Sequence, residues 1–216
     1  MRASAAAMAA SALAAHDHAM SPTDDPTPEE ATEPRAPSAI LESDLLRSRT
    51  VLVFGEVTTE LAHRTCASLF ALAARGDDPI RVVVHSQGGH VEAADTIHDV
   101  IRFIRPDVVM IGTGWVASAG ALIYCAAEKR NRLALPNTRF LLHQPLGGMR
   151  GPASDVEIEA AQILRMRDRL NAIFAKATGL PARKIAEDTD RNHWLGAEEA
   201  KAYGLVERIV ERQDAV

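Results

Sequence analysis

Cysteine is scarce: the chain of 216 residues has two, Cys66 and Cys125. Each sits in an apolar, helix-like segment, which excludes a disulfide framework and reads as buried free thiols in a reducing, cytoplasmic setting. An excess of positive charge is also missing. Lysine and arginine total 24 against 29 acidic residues, for a net charge of -5. With no basic stripe to neutralise phosphates, nucleic acid is not expected as a partner. No apolar run reaches the ~18 residues of a membrane-spanning helix, so no membrane partner is expected either. Eight histidines fall at 16, 18, 63, 85, 90, 98, 143 and 193, with no HExxH or CxxC among them, so no metal site is expected. The GxGxxG spacing of a dinucleotide site is absent. What is present is an ordinary composition, 47% hydrophobic and 25% charged, long enough for one domain with a full core.

The first ~48 residues differ in kind from the rest. "MRASAAAMAASALAAHDHAM" is alanine-rich and reads either as a leader ending near "ALAA" or as sequence ahead of a start at Met20. "SPTDDPTPEEATEPRAPS" carries Pro, Thr and Glu and almost no large apolar residue. Such a stretch buries too little surface to offset its ordering entropy. The expected organisation is a disordered or processed segment, 1–39, ahead of a folded domain, 40–216.

In the folded part, short apolar runs alternate with helical patterns. "TVLVFGEV" (50–57) reads as a buried strand. In "TTELAHRTCASLFALAARG" (58–76), Leu61, Thr65, Leu69 and Leu72 share one helical face and Gly76 is placed as a stop. "IRVVVHS" (80–86) is a β-branched core strand. The chain then turns through Gly88 and Gly89 into a helix with Val91, Ala94, Ile97, Ile101 and Ile104 inward, ended by Pro106. "DVVMIGTG" is a third strand, "SAGALIYCAAEK" a buried helix, and "FLLH" a strand ending on His143. The longest helix is 154–179, opened by a Ser154/Glu157 capping box and stopped by Gly179 and Pro181. At ~1.5 Å per residue it exceeds 30 Å, too long to pack wholly within one subunit. "GAEEAKAYGLVERIV" gives a short helix, a Gly204 cap and a last strand. The class is α/β with mostly parallel connections.

Three strand-to-loop junctions carry candidate chemistry, on the edge where open α/β sheets place their sites. In "SQGGH" (86–90), two glycines leave bare backbone N–H groups free to face a ligand, or simply make a tight turn. Ser118 follows "GTGWVA" at the start of a helix, where free N–H groups can stabilise an oxyanion. It is not in a GxSxG pattern, since Val116 lies two before it, and it reads equally as an N-cap. His143 precedes a glycine-rich loop and is either a half-buried structural histidine or a base. A hydroxyl, an imidazole and two sets of amide donors together are the parts of an acyl-transfer site.

"GWVASAGALIYCAA…ALPNTRFLLHQPLGG" resembles the proteolytic subunit of the Clp protease, and the resemblance runs from "LVFGEV" to "YGLVERIV". It implies a crotonase-like, Clp-peptidase α/β fold of repeated β-β-α units with a long protruding handle helix. It implies a serine endopeptidase that hydrolyses unfolded polypeptides inside a chamber of two stacked heptameric rings. An AAA+ unfoldase feeds that chamber and is the partner that uses ATP; the subunit itself has no cofactor. By resemblance, Ser118 is the nucleophile, His143 the general base, and the N–H groups of Gly89 and Ala119 the oxyanion hole. "GGMRGP", with Gly147, Gly148 and Met149, is similar to the strand that binds the substrate backbone.

The sequence departs from the family pattern twice. Gln87 replaces the usual proline of the "SPGG" loop, which loosens the turn. The triad aspartate position holds Asn192, in "TDRNHWL". Loss of that charge costs ~10⁴ in turnover in the serine-protease template. A Ser-His-Asn site is therefore expected to be weakened. If 188–192 is extended, Asp188, Asp190 and Asn192 share a side, and Asp190 would need a shift of ~7 Å to stand in. The family otherwise uses the positions of Asp190 and Arg191 for ring-to-ring ion pairs. Two alternatives stand beside the peptidase: a catalytically feeble structural subunit of mixed rings, and a crotonase-type acyl-CoA enzyme.

Overall fold

The computed structural model describes residues 37–148 and 150–215. The N-terminal segment expected to be disordered or processed lies outside them up to residue 36. Helix α1, Pro37–Arg47, begins just before the Ile40 expected as the start of folded structure.

Strand β1, Thr50–Val57, buries Val51, Val53 and Val57 and turns Leu52 and Phe54 outward, the two-residue period of a pleat. Helix α2, Thr59–Arg75, is opened by the Thr58 hydroxyl, which accepts the Leu61 N–H at 3.1 Å. It buries Thr65, Leu69 and Leu72 on the expected face, with Ala62 and Cys66 beside them. Strand β2 (Ile80–Gly89), helix α3 (Val91–Phe103) and strand β3 (Val108–Ala117) follow. Helix α4 is only Ala119–Tyr124. Strands β4 (Arg132–Ala134) and β5 (Arg139–Leu142) lead to helix α5, Ala153–Thr178. Helix α6 (Ala182–Asp188), strand β6 (His193–Gly196), helix α7 (Ala197–Ala202) and strand β7 (Arg208–Ile209) complete the chain.

One seven-stranded sheet runs β1-β2-β3-β4-β7, all parallel. Strand β3 forks: Met110–Gly112 pair with β4, and Trp115–Ala117 pair with β5. Strand β6 then adds to β5 antiparallel. The core lies between the sheet and helices α2, α3 and α4, centred on Leu69, Val82, Ile97, Met110 and Ile123. Both cysteines are free and buried. Burial pushes the Cys125 thiol up to about 11 and raises Cys66, so both stay protonated.

Several boundaries differ from the sequence reading. The chain does not turn at Gly88–Gly89; β2 continues through Gly89, and His90 is the N-cap of α3. The helix after Ser118 is one short stretch rather than twelve residues. The Ser154/Glu157 box does not form: α5 starts a residue earlier, at Ala153, with Pro152 as a cap that has no donor or acceptor side chain. Gly179 does end it in the left-handed region, at φ 79°. Only the second half of α5 is packed, through Leu170, Asn171, Phe174 and Thr178. Val156, Ile158 and Leu164 in the first half are exposed, as expected of a helix too long for one subunit.

Candidate active site

The fork in β3 brings the candidate residues together. Strands β3 and β5 are parallel, with Ala117 opposite Leu141, so both end at the same edge. The Ser118 N–H donates to the Leu141 carbonyl at 2.9 Å and extends that ladder by one residue. His143 follows directly after β5. Strand β6 pairs antiparallel with Leu142 opposite His193, so the next pair outward sets His143 against Asn192. Three residues remote in sequence thus meet at one corner of the sheet.

Ser118 has φ 53° and ψ −118°, a conformation that side-chain-bearing residues rarely adopt and that costs ~1–3 kcal/mol. Its carbonyl accepts the N–H groups of Ala121 and Leu122. Its hydroxyl makes no cap bond. Ser118 therefore stands at the N-cap position without its side chain serving as a cap. Glycines make room for this strained turn. A Cβ on Gly88 would lie 2.8 Å from Ser118 Cβ and 3.3 Å from its Oγ. A Cβ on Gly89 would strike the Val57 carbonyl oxygen at 2.5 Å, and one on Gly120 would approach Ser86 at 3.0 Å. The double glycine is thus a close-approach site rather than a turn. Because the His90 N–H donates to Val57, ladder parity leaves the Gly89 N–H facing away from β1. The Ala119 N–H, first in its helix, has no acceptor within that helix.

His143 is half-buried, and burial pushes its pKa below the ordinary 6.5. A hydrogen bond with the Asn192 side chain partly offsets this, the amide oxygen accepting the ring N–H and so favouring the charged form. The segment carrying Asn192 is pinned. The Gln144 N–H donates to the Thr189 carbonyl at 2.8 Å, and Gln144 Nε2 to the Asp190 carbonyl at 2.9 Å. The Thr189 hydroxyl donates to Asn171 Oδ1 of α5 at 3.0 Å. The extended 188–192 segment is not found: Asp188 closes helix α6 and bonds Lys184 and Tyr203. Burial works against the Asp188 carboxylate, but those bonds outweigh it and hold its pKa below the usual carboxylate value. The Asp190 carboxylate is directed to Gln144, at 3.5 Å, and has no bond to His143.

Ser118 and His143 line one narrow cavity, about 10 Å³, room for about one water molecule. Val91, Leu122, Leu170 and Phe174 form its apolar walls. Larger cavities lie elsewhere: one of about 570 Å³ between α2 and α3, and one of about 340 Å³ at the end of α5. Neither holds the hydroxyl–imidazole pair, so chemistry rather than size marks the site. Gly147 and Gly148 are exposed and irregular, since a strand needs a partner and nothing among the described residues pairs with them. A Cβ on Gly147 would lie 2.8 Å from Ile163 Cδ1, which sets this loop against α5. Met149 lies outside the described residues. Among the described residues there is no group of three or more His, Cys, Asp or Glu able to hold a metal ion. Nor is any helix long and apolar enough to cross a membrane.

A hydroxyl on a strained strand-to-helix turn beside a neutral imidazole, on a mostly parallel sheet, defines an α/β serine hydrolase. The comparisons narrow this. The Clp protease family matches residues 35–213. The ATP-dependent Clp protease proteolytic subunit 3 of Rhizobium meliloti (strain 1021) is 64% identical over 169 residues, covering 78% of this chain and 87% of that protein. The proteolytic subunit 2 of Pseudomonas aeruginosa is 54% identical over 188 residues, covering 87% and 94%. Among solved structures, ClpP1 of Listeria monocytogenes matches with a TM-score of 0.74 and 51% identity, over 81% of this chain and 98% of that one. An asparagine-to-aspartate mutant of the same protein gives 0.76 and 52%, with the same coverage. The chain belongs to the Clp protease family and is a serine peptidase subunit.

Proposed function

We propose that Ser118 is the nucleophile, His143 its general base, and Asn192 the residue that orients the imidazole. His143 takes the proton of the Ser118 hydroxyl as its oxygen attacks the peptide carbonyl. The amide N–H groups of Gly89 and Ala119 receive the negative charge that forms. His143 then protonates the leaving amine, and water, activated by the same ring, releases the acyl group. The apolar walls at Val91, Leu122, Leu170 and Phe174 shield the reacting pair from bulk water. Gly147, Gly148 and Met149 pair with the substrate backbone. The observation that carries this reading is the strand register, which sets Ser118 on Leu141 and Asn192 opposite His143.

The subunit assembles, on this reading, as two stacked seven-membered rings joined through the exposed half of α5, in the cytoplasm. A ring-shaped unfoldase spends ATP to feed unfolded chains, and the subunit needs no cofactor. The feeble-scaffold alternative rests on the missing charge of Asn192 alone, and the interaction of the Asn192 side chain with His143 favours a ring that is still oriented. Family membership displaces the acyl-CoA alternative. The test is fluorophosphonate labelling of the assembled particle with mass-spectrometric mapping. Modification at Ser118, lost together with peptidase activity in Ser118→Ala, is expected. Unfolded polypeptide digested equally well by Ser118→Ala would overturn the assignment.

A further inference from the structure

The cavity of about 340 Å³ at the end of α5 takes no part in the chemistry above, and four cationic side chains stand among the apolar residues that line it. Arg132 forms the floor, and Arg102, Lys129 and Lys176 stand exposed around the rim. The one carboxylate on the lining, Glu128, is already engaged by Arg130 at 3.1 Å. His98, the other titratable wall, turns Nδ1 to Asp99 at 3.1 Å. Among the described residues no carboxylate pairs with Arg102, Lys129, Arg132 or Lys176.

Arg132 is the decisive residue. It lies within β4 and is 1% exposed. Its Nη2 donates to the Ala177 carbonyl at 2.5 Å, but Nε and Nη1 are buried without a hydrogen-bond partner. The neighbouring Cys125 sulfur is at best a weak acceptor. A guanidinium cannot shed its proton, so its charge must be met by a counter-charge or by water. Burying a cation with two idle donor nitrogens is unfavourable unless something occupies the space in front of it. The idle Nε and Nη1 sit on opposite edges of the guanidinium plane, and each offers an anion one charge-assisted bond.

We infer that this cavity binds a tetrahedral oxyanion of the phosphate class, held by Arg132 from below and by Arg102, Lys129 and Lys176 at the rim. The ligand is either the free ion or the terminal phosphate of a larger molecule entering past the two lysines. Filling the cavity ties together α3, the turn after α4, strand β4 and the last turn of α5. The turns of α5 just before it present Leu170 and Phe174 to the Ser118–His143 cavity, so the anion braces a wall of the site from behind.

The test is titration of the full-length assembled protein with inorganic phosphate by calorimetry, at constant ionic strength set with sodium chloride. Saturable binding is expected, together with a melting temperature that rises with phosphate and not with chloride. The double variant Lys129→Ala/Lys176→Ala removes only exposed, unpaired cations and should weaken phosphate at least about tenfold. Arg132→Met, a shape-preserving change that removes the idle donors, should abolish binding. Competition by AMP assigns the site to a phosphate on a larger molecule; failure of AMP to compete assigns it to the free ion. No saturable phosphate binding, or equal binding by the double variant, would overturn the inference.

Discussion

Asn192→Asp restores a carboxylate opposite His143 and gives the sharpest test of how the site works. A unit charge ~4 Å from the imidazolium is worth ~1 kcal/mol in bulk water and ~4 kcal/mol at an effective dielectric of 20. Asn192 is exposed and His143 half-buried, so the gain lies between those limits. In proton terms this is roughly one to three pH units, and in rate roughly 10- to 10³-fold, below the ~10⁴ ceiling of a fully buried triad carboxylate. The direction in pH follows from the base. His143 works only when neutral, so activity is lost as pH falls through its pKa. In the natural chain burial holds that pKa below 6.5, and the acid limb of kcat/KM lies there. In Asn192→Asp the limb should move to higher pH while the plateau rises, so the advantage shrinks in acid. The assay is kcat/KM for a fluorogenic peptide with the assembled particle, from about pH 5 to about pH 9. Asp190→Ala serves as control and should leave the limb in place, since that carboxylate faces Gln144. An unchanged plateau and limb in Asn192→Asp would refute the claim that residue 192 governs the imidazole.

Three other outcomes follow from the same geometry. Gly88→Ala drives a methyl group to 2.8 Å from Ser118 Cβ at φ 105°; peptidase activity should fall by more than ~10²-fold and stability by ~2 kcal/mol, read by denaturant unfolding. Ser118→Gly relieves a positive φ and should be inactive yet about 1 kcal/mol more stable, whereas Ser118→Ala keeps the strain and should melt close to the natural chain. Tyr203→Phe removes a 2.7 Å bond to Asp188, whose depressed pKa stabilises the fold above the unfolded value near 3.8 and ceases to as pH falls through the folded pKa. Its stability at neutral pH should fall by about 1 kcal/mol, and the difference from the natural chain should close as pH drops below 3.8, read by denaturant unfolding followed by circular dichroism.

The alternation of β1, α2, β2, α3 and β3 was legible because each apolar run is closed by a glycine or proline and each helix has a continuous buried face. The candidate pair Ser118 and His143 was legible as polar residues at strand ends. What brings them together was not. The fork in β3 depends on which strands pair along its two halves, and no local pattern encodes that. Strand β4 has three residues and α6 seven, too short for periodicity to declare itself. With α6 unrecognised, an extended run over 188–192 stayed open as a condition, and it is not found because Asp188 ends that helix. Gly88 and Gly89 read as a turn because their real purpose, letting β2 pass against Val57 and Ser118, is a contact between distant segments. The strain at Ser118 was invisible for a related reason: Val116 breaks the usual glycine pattern, and the backbone is forced instead by Leu141 on one side and α4 on the other.

The left-handed backbone at position 118 has an evolutionary corollary. Selection for folding alone favours glycine there, and one nucleotide separates common serine codons from glycine. A lineage released from cutting peptide bonds would slide to the smaller residue and gain by it. A side chain held in a conformation it dislikes is the signature of a chain still answerable to its chemistry.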